Sequence, residues 1–229
     1  MIEDSILLEV RKTFPRPPKE LLASFEGAAT GNVVDAMGGR GALSHAIKPV
    51  NEHQSGFCGT ALTCLAAPVD NLAVFAALDI AQPGDVIMIA TDEHLSAAVI
   101  GDLMLGMAKN LGVHAVITDG SVRDKRGMEA VGLPCFSAGI TPNSPVRMGP
   151  GNAGLPIIIG GTHVNSGDIV VGDVDGVVVV PAARAAEVAK QLAIVQAAEA
   201  RLEAEVLAGK TMLDVVRPVL SSPAVRVLH

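Results

Sequence analysis

Uninterrupted apolar runs recur along this chain and alternate with segments of helical character. The runs are rich in Val and Ile, and apolar and polar residues do not alternate within them. Continuous runs of this kind are typical of strands that are buried on both faces of a sheet. The pattern therefore predicts an α/β fold in which helices cover the sheet. The strands are expected at 56–66, 86–90, 113–117, 134–137, 156–160, 169–172 and 176–180.

The segments between these strands carry helix signals. Ser96 is suited to cap a helix that runs to Asn110. A long C-terminal helix is expected at about 181–208, because Pro is favoured near the first helical position and Gly just past the last. Residues 1–30 are expected to form an N-terminal helical arm. Since the sequence contains no linker and no low-complexity segment, we expect residues 1–229 to form one domain.

Composition narrows the classes of protein to which the chain can belong. The net charge is −7 and the Lys and Arg residues are scattered, which argues against binding to duplex nucleic acid. The three cysteines lack CxxC spacing, so we expect buried apolar side chains rather than a disulfide framework or a zinc site. No apolar run approaches the roughly 18 residues of a membrane-spanning helix, and the first residues are acidic, unlike a signal peptide. We therefore expect a cytoplasmic protein that binds neither nucleic acid nor membrane.

The densest polar cluster is the segment 118–124, Thr-Asp-Gly-Ser-Val-Arg-Asp, which directly follows a predicted buried strand. Ligands of open α/β sheets bind where such loops converge, at the carboxyl ends of the strands. Arg123 offers a planar fork that matches a carboxylate, and Asp124 offers an oxygen ligand suited to magnesium. Asp119 is a candidate partner for Arg123. A solvated loop with a surface Arg–Asp pair is the alternative interpretation.

A second acidic residue, Asp102, interrupts the apolar stretch 97–105. Burying a carboxylate costs free energy unless the group is paired or coordinates a metal. The backbone amides from Gly101 to Met104 would hold an anion if a helix begins there. The alternative is that Asp102 lies on the exposed face of an amphipathic helix.

The spacing of these residues connects the two clusters. Twenty residues separate Asp102 from Arg123, and an Asp, twenty residues and then Arg-Asp is the pattern of the RraA-like family. The chain resembles that family from about Gly31 to Asp214. The family includes magnesium-dependent 4-hydroxy-4-methyl-2-oxoglutarate and 4-carboxy-4-hydroxy-2-oxoadipate aldolases, and the regulator of ribonuclease activity A. Other matching segments are Pro83-Gly-Asp-Val, Pro156-Ile-Ile-Ile-Gly-Gly, Gly167-Asp-Ile-Val-Val-Gly-Asp and Asp175-Gly-Val-Val-Val-Val.

The resemblance implies a fold and a role for each site residue. The implied fold is a single layered α/β domain with mixed sheets covered by helices, in the swivelling β/β/α arrangement. Asp124 is implied to ligate Mg²⁺, or Mn²⁺, directly, and Asp102 to hold a metal-bound water and relay a proton. Arg123 is implied to donate to the keto and enolate oxygen. The implied substrate-binding residues are Gly101, Asp102, Leu103, Met104 and Arg123.

One further residue is implied to come from a neighbouring subunit. In the family's aldolases a Glu on the C-terminal helix, shortly before a Gly, holds a further metal water in the adjacent site. Glu199 lies ten residues before Gly209, so the resemblance assigns this role to Glu199. Glu203 and Glu205 are rivals, and all three are also consistent with a solvated helix face. A shared site implies a homo-oligomer, either a trimer or a hexamer of two trimers.

These residue types favour chemistry through a pyruvate enolate. Cleavage of a 4-hydroxy-2-oxo acid, or decarboxylation of oxaloacetate, leaves an oxyanion that needs fixed positive charge, which a metal and an Arg supply. We therefore expect a metal-dependent carbon–carbon lyase, an aldolase or oxaloacetate decarboxylase, that acts on small 2-oxo acids. Contacts to the distal half of the substrate are expected in the loops at 91–97 and 138–153. The alternative is a non-catalytic regulator of ribonuclease activity that acts by protein–protein contact.

Overall fold

A nine-stranded mixed sheet lies at the centre of the structure, a computed structural model that describes residues 6–228. The first five residues of the expected N-terminal arm, and His229, lie outside the described residues. Each strand predicted from the sequence is present, with its ends displaced by at most two residues. In chain order, the strands are β1 Leu8–Val10, β2 Lys48–Pro49, β3 Phe57–Ala66, β4 Asp85–Ala90, β5 Ala98–Ile100, β6 Ala115–Thr118, β7 Ser121–Val122, β8 Cys135–Ser137, β9 Gly139–Ile140, β10 Gly151–Ala153, β11 Ile157–Ile159, β12 Thr162–Val164, β13 Ile169–Asp173 and β14 Gly176–Val180.

The helices are mostly short, apart from the one near the C-terminus. That long helix begins at Ala185, slightly later than predicted, after a 3-10 turn at Ala182–Arg184. The helices are α1 Lys19–Ala23, α2 Thr30–Ala36, α3 Leu72–Ile80, α4 Asp102–Asn110, α5 Lys125–Val131, α6 Ala185–Leu207 and α7 Arg217–Leu220.

The long strand β3 organises the large sheet because it pairs along both of its edges. One edge pairs in parallel with β4, and β6 and β8 continue this parallel half of the sheet. The other edge pairs antiparallel with β13 and then with β10. Parallel neighbours need a crossover connection, and α3, α4 and α5 lie in the crossovers between β3, β4, β6 and β8. The sheet is therefore mixed and α/β in character, as predicted.

Three short strands that follow the parallel strands of the large sheet form a second sheet. β5, β7 and β9 directly follow β4, β6 and β8 along the chain, and they pair with one another in parallel. β5 corrects the prediction of a helix beginning at Ser96, since α4 begins only at Asp102. The β-branched residues Val99 and Ile100 are buried in this sheet. Packing of branched side chains on a pleated surface outweighs the local capping signal of a serine.

Apolar side chains of the described residues form three clusters. The first lies between the large sheet and α3, α4 and α5, the second between the sheet and the β11–β12 hairpin, and the third between β13–β14 and α2 and α6. α6 buries Ala185, Val188 and Leu192, which share one face of a helix. No helix among residues 6–228 is long and apolar enough to cross a membrane.

The three cysteines are free, as the sequence predicted. Cys64 and Cys135 are buried, and Cys58 is half-buried. Burial raises the pKa of the Cys58 and Cys135 thiols to about 12, and it also raises the pKa of Cys64. The thiols are therefore protonated near neutral pH and are poor nucleophiles, so catalysis through cysteine is not supported.

The N-terminal segment is extended before Lys19, which corrects the expectation of a helical arm there. Its strand β1 pairs in parallel with β10, and prolines at 15, 17 and 18 disfavour helix in the segment that follows. Arg16 anchors the segment by a bidentate ion pair, with Nε–Oδ1 and Nη2–Oδ2 distances to Asp85 of 2.9 Å each. Asp85 is fully buried at the start of β4, so this ion pair fastens the N-terminal segment to the parallel half of the sheet.

Replacing Arg16 by Met should destabilise the protein by roughly 2–4 kcal/mol, because it leaves the buried Asp85 carboxylate without its charged partner. The exposed pair Arg184–Glu187, with an N–O distance of 3.5 Å, provides a matched control. Arg184→Met should cost about 0–1 kcal/mol. Urea unfolding of the two variants measures the difference, and equal losses would contradict an anchoring role for Arg16.

Candidate active site

Polar residues lie at the carboxyl ends of the three neighbouring strands β5, β7 and β9. Asp102 follows β5 after a single Gly, Arg123 directly follows β7, and the loop 141–150 follows β9. The strands are held together by hydrogen bonds that include Arg123 N to Ile100 O at 3.1 Å. Because all three strands run in the same direction, their carboxyl ends meet at one edge. This edge is where ligands of such sheets bind.

A cavity of about 240 Å³ lies at this edge. Its size suits a small metabolite rather than a large cofactor, since pockets for drug-sized ligands span roughly 300–1,000 Å³. It is lined by all the metal-binding, catalytic and substrate-binding residues that the resemblance implied, except Glu199 of the C-terminal helix. The lining residues are Asn71, Phe75, Ile100, Gly101, Asp102, Leu103, Met104, Met107, Arg123, Asp124, Ser144, Pro145 and Arg147.

Arg123 and Asp124 form an ion pair at the cavity, with a distance of 3.1 Å between Arg123 Nε and Asp124 Oδ2. Their side chains are 36% and 44% exposed, so the pair contributes little to stability. Arg123 Nη1 also donates to Ser144 Oγ at 2.5 Å. Asp124 adopts a left-handed conformation with φ of 60°, which Asp tolerates better than most residues. An exposed pair held in a sparsely populated backbone conformation points to a functional role rather than a stabilising one.

Asp102 is the first residue of α4, not a residue inside a longer helix. Its Oδ1 accepts a hydrogen bond from Leu103 N at 2.7 Å. This bond occupies one of the helix-terminal amides that were predicted to bind a substrate carboxylate. Its Oδ2 lies against Gly127 of α5, where a Cβ atom would be only 2.2 Å away. The carboxylate is therefore confined between the start of α4 and the first turn of α5.

Glu199 does not line the cavity of its own chain. It lies on α6, and its Oε2 accepts a hydrogen bond from Asn32 Nδ2 at 2.5 Å. Glu205, one of its rivals, is paired at the surface with Lys210, at 2.6 Å, and with Arg201. The hydrogen bond from Lys210 lowers the pKa of Glu205. Glu199 is therefore held by a residue of α2, whereas Glu205 is held by residues of its own helix and of the segment after it.

Asp119 is not a partner of Arg123, which corrects the proposed pairing. It is buried, and its Oδ1 accepts hydrogen bonds from Thr91 N at 2.7 Å and Thr91 Oγ1 at 3.0 Å. Burial raises the pKa of the Asp119 carboxyl, while these hydrogen bonds act in the opposite direction. Asp119 therefore fixes the loop after β4. That loop lines a separate cavity of about 10 Å³, whereas the loop at 138–153 reaches the main cavity through Ser144 and Arg147.

Several cavity residues were not named as site residues from the sequence, among them Asn71, Phe75 and Arg147. Asn71 lies directly before α3. Its Nδ2 donates to Val99 O and Met104 Sδ, and its buried Oδ1 has no hydrogen-bond partner among residues 6–228. Arg147 lies in the loop after β9, with its guanidinium carbon 5.5 Å from the Phe75 ring centroid. The sequence feature that could have indicated Arg147 is its place in a loop rich in Gly, Pro and Asn, which follows a predicted strand at the expected carboxyl edge of the sheet.

The oxygen donors at the cavity suit a hard divalent cation. Within residues 6–228, no group of three or more His, Cys, Asp or Glu side chains is placed to hold a metal, so a four-ligand zinc site is not supported. Mg²⁺ commonly takes one or two carboxylates and completes its shell with water and substrate oxygens. Asp102 and Asp124 supply two carboxylates. Gly101 leaves space beside them, since a Cβ there would lie 2.6 Å from Asp124 Oδ2.

Comparison with known proteins identifies the class to which this fold and site belong. A family model described as RraA-like, Aldolase/RraA, matches residues 30–179. A relative from Halalkalibacterium halodurans, named "Putative 4-hydroxy-4-methyl-2-oxoglutarate aldolase", is 40% identical over 162 residues, which cover 71% of this chain and 77% of the relative.

Solved structures agree with this match. An uncharacterized protein from Pseudomonas syringae pv. tomato superposes with a TM-score of 0.75 at 26% identity, covering 86% of this chain and 97% of that one. The RNA-processing inhibitor RraA from Thermus thermophilis superposes with a TM-score of 0.62 at 25% identity, covering 67% and 93%. The fold is thus the mixed α/β fold of RraA structures. The chain belongs to the RraA-like family, as its sequence motifs predicted.

The confinement of Asp102 against α5 can be tested with two helical glycines. Gly106→Ala should stabilise the protein by about 0.5–1 kcal/mol, because Ala favours helix and nothing lies within 4 Å of the new Cβ. Gly127→Ala offers the same gain in helix propensity, but its Cβ would lie 2.8 Å from Asp102 Cβ. We expect this variant to be less stable than Gly106→Ala by roughly 1–3 kcal/mol. Thermal unfolding compares the two, and equal melting temperatures would contradict the close contact.

Proposed function

We propose that this protein is a divalent-metal-dependent carbon–carbon lyase that releases pyruvate from 4-hydroxy-2-oxo acids, or from oxaloacetate, through a pyruvate enolate. One observation carries the proposal: Asp102, Asp124 and Arg123 converge on one small cavity at the carboxyl edge of parallel strands. The name of the Halalkalibacterium halodurans relative, a 4-hydroxy-4-methyl-2-oxoglutarate aldolase, supports the same chemistry.

The reaction makes specific demands on the residues of this cavity. In a 4-hydroxy-2-oxo acid the 4-hydroxyl loses its proton and the bond between C3 and C4 breaks. The electron pair of that bond moves toward the C2 carbonyl, which becomes an enolate, and C3 is then protonated to give pyruvate. In oxaloacetate the same bond breaks with loss of carbon dioxide. Both substrates therefore need a cationic donor at the C2 oxygen and a group that moves a proton.

We assign these roles within the chain. Arg123 is the donor to the C2 oxygen, because its guanidinium lines the cavity and is held by Asp124 and Ser144. Asp102 is the group that relays the proton, since its carboxylate is confined beside the same cavity. The start of α4, from Gly101 to Met104, receives the substrate carboxylate, as helix N-termini favour anions.

A divalent cation fits this arrangement, with Asp124 as its direct ligand and Asp102 nearby. Magnesium, or manganese, bound there supplies fixed positive charge beside the oxygen on which negative charge develops. Asp124 is suited to this role because its carboxylate is half-exposed and pairs with Arg123 Nε through Oδ2, so Oδ1 lies outside that contact.

A pyruvate-release assay over a panel of 2-oxo acids tests the proposal. We expect turnover with Mg²⁺, loss of turnover in EDTA, and a fall of at least about 100-fold in kcat for Asp124→Asn. Asn is preferred to Ala here because it also tolerates the left-handed backbone, although Asp124→Ala should abolish turnover too. Asp79→Asn, an exposed carboxylate of α3, is the charge-matched control and should retain activity. Full turnover in both EDTA and Asp124→Asn would rule out the metal mechanism.

We further propose that the site is completed by Glu199 of a neighbouring subunit in a homotrimer or a hexamer. α6 and the segment after it support an assembly, because they expose apolar side chains that an isolated chain would leave in water. These side chains include Ile194, Val206, Leu207, Val215, Val219 and Val227.

The shared site is tested by light scattering and by mixing subunits. The protein should have the mass of a trimer or hexamer, and Glu199→Gln and Asp124→Asn should each be inactive alone. When the two variants are unfolded and refolded together, some sites receive both intact residues, so part of the activity should return. A monomeric mass, or unimpaired turnover by Glu199→Gln, would refute the shared site.

The likeness to the Thermus RNA-processing inhibitor favours a second candidate function, regulation of a ribonuclease by direct contact. Such a regulator does not need the cavity chemistry. Inhibition of a ribonuclease that is unchanged in Asp124→Asn, together with no pyruvate release by the wild type, would establish this candidate over the lyase.

A further inference from the structure

Arg147 places a second guanidinium at the cavity that holds Arg123. It is exposed, and it takes part in none of the ion pairs formed among residues 6–228. Its guanidinium carbon lies 5.5 Å from the centroid of the Phe75 ring, which lines the same cavity. Contact with an aromatic face orients a guanidinium without neutralising its charge. Arg147 is therefore an oriented cation that remains available to a ligand.

The backbone around Arg147 is fixed by buried groups rather than left as a loose loop. Asp70 is only 3% exposed, and its Oδ2 accepts hydrogen bonds from the two amides that follow Arg147, at 2.5 and 3.0 Å. On the other side, Val146 O accepts from Asn71 N at 3.1 Å. Both anchoring residues lie at the start of α3, which belongs to the core. The position of Arg147 relative to the cavity is thus set by the fold.

Both arginines line the same cavity of about 240 Å³, so one small molecule bound there can contact both. Ser144, which accepts a hydrogen bond from Arg123, is three residues before Arg147. Three residues of fully extended chain span at most roughly 10–11 Å. The guanidinium of Arg123 is paired with the carboxylate of Asp124, whereas that of Arg147 forms no ion pair with any residue from 6 to 228. The cavity therefore offers a second anion-binding position, away from the proposed reacting carbonyl.

We propose that Arg147 binds the second carboxylate of a dicarboxylic 2-oxo acid and so determines substrate specificity. The inference rests on the proposed function, because it extends that site to the distal end of the substrate. Phe75 orients the guanidinium, and Asp70 positions the loop that carries it. Arg147 discriminates between substrates by the charge of the group at the end opposite the 2-oxo acid group, and it takes no part in proton transfer.

The test compares a dicarboxylic with a monocarboxylic substrate in variants of one arginine. For Arg147→Gln, kcat/KM for 4-hydroxy-4-methyl-2-oxoglutarate should fall by roughly 10- to 100-fold, mainly through KM, as expected for loss of a charge-assisted hydrogen bond. The value for 4-hydroxy-2-oxopentanoate, which lacks the second carboxylate, should change less than about threefold. Arg147→Lys should retain part of the preference. Arg40→Gln, an exposed arginine outside the cavity with the same charge change, should alter neither value.

A binding measurement separates failure of this inference from failure of the proposed function. Calorimetry with 2-oxoglutarate and 2-oxopentanoate, which lack the 4-hydroxyl and cannot undergo the cleavage, needs no turnover. We expect the wild type to prefer the dicarboxylate and Arg147→Gln to lose that preference, even if no substrate of the panel is cleaved. Equal losses for both compounds, or an unchanged preference, would overturn the role of Arg147. Absence of cleavage with the preference intact would overturn only the lyase proposal.

Discussion

The parallel pairing of β5 with β7 is the constraint on which the site depends. Ile100 pairs with Val122, so the residues that follow these two positions emerge side by side. Twenty residues separate Asp102 from Arg123 in the sequence, yet both line one cavity for this reason. A slip of the pairing by one residue would turn the buried side chains of a strand to the opposite face. Burial of Ile100 and Val122 therefore also fixes the register of the catalytic candidates.

The large sheet provides the platform for that pairing. Each of its strands β4, β6 and β8 leads into a short strand of the second sheet before the chain turns into a helix or loop. The short strands β7 and β9 have only two residues each, too few to be stable alone. They are held in place by the chain segments that connect them to the large sheet. The first apolar cluster, which includes Val99, Ile100 and Val122, also packs against them.

Much of this architecture could be predicted from the sequence, because the apolar runs that form the large sheet are long and lack alternation. The site residues Asp102, Arg123 and Asp124 were predicted because their spacing resembles the pattern of the RraA-like family, and the structure brings them to one cavity. The short strand β5 was missed because three residues carry too little pattern to compete with Ser96 as a helix signal. Arg147 and Asn71 were missed because their places depend on contacts between distant segments, such as Asp70 with the loop after β9.

That last contact has an implication for how the cavity can vary. Around Arg147 the loop is tied to the start of α3 by Asp70, whereas earlier in the loop Asn143 O accepts from Ala98 N and Ser144 Oγ accepts from Arg123 Nη1. The side chain at position 147 can therefore be exchanged without altering these contacts to the residues proposed to carry out the reaction. In such an arrangement the residues proposed for the reaction and the residue proposed for substrate specificity are positioned by different parts of the fold. If the proposed lyase activity holds, relatives with the same site residues could come to bind different acids by changing the residue at this one position of the loop.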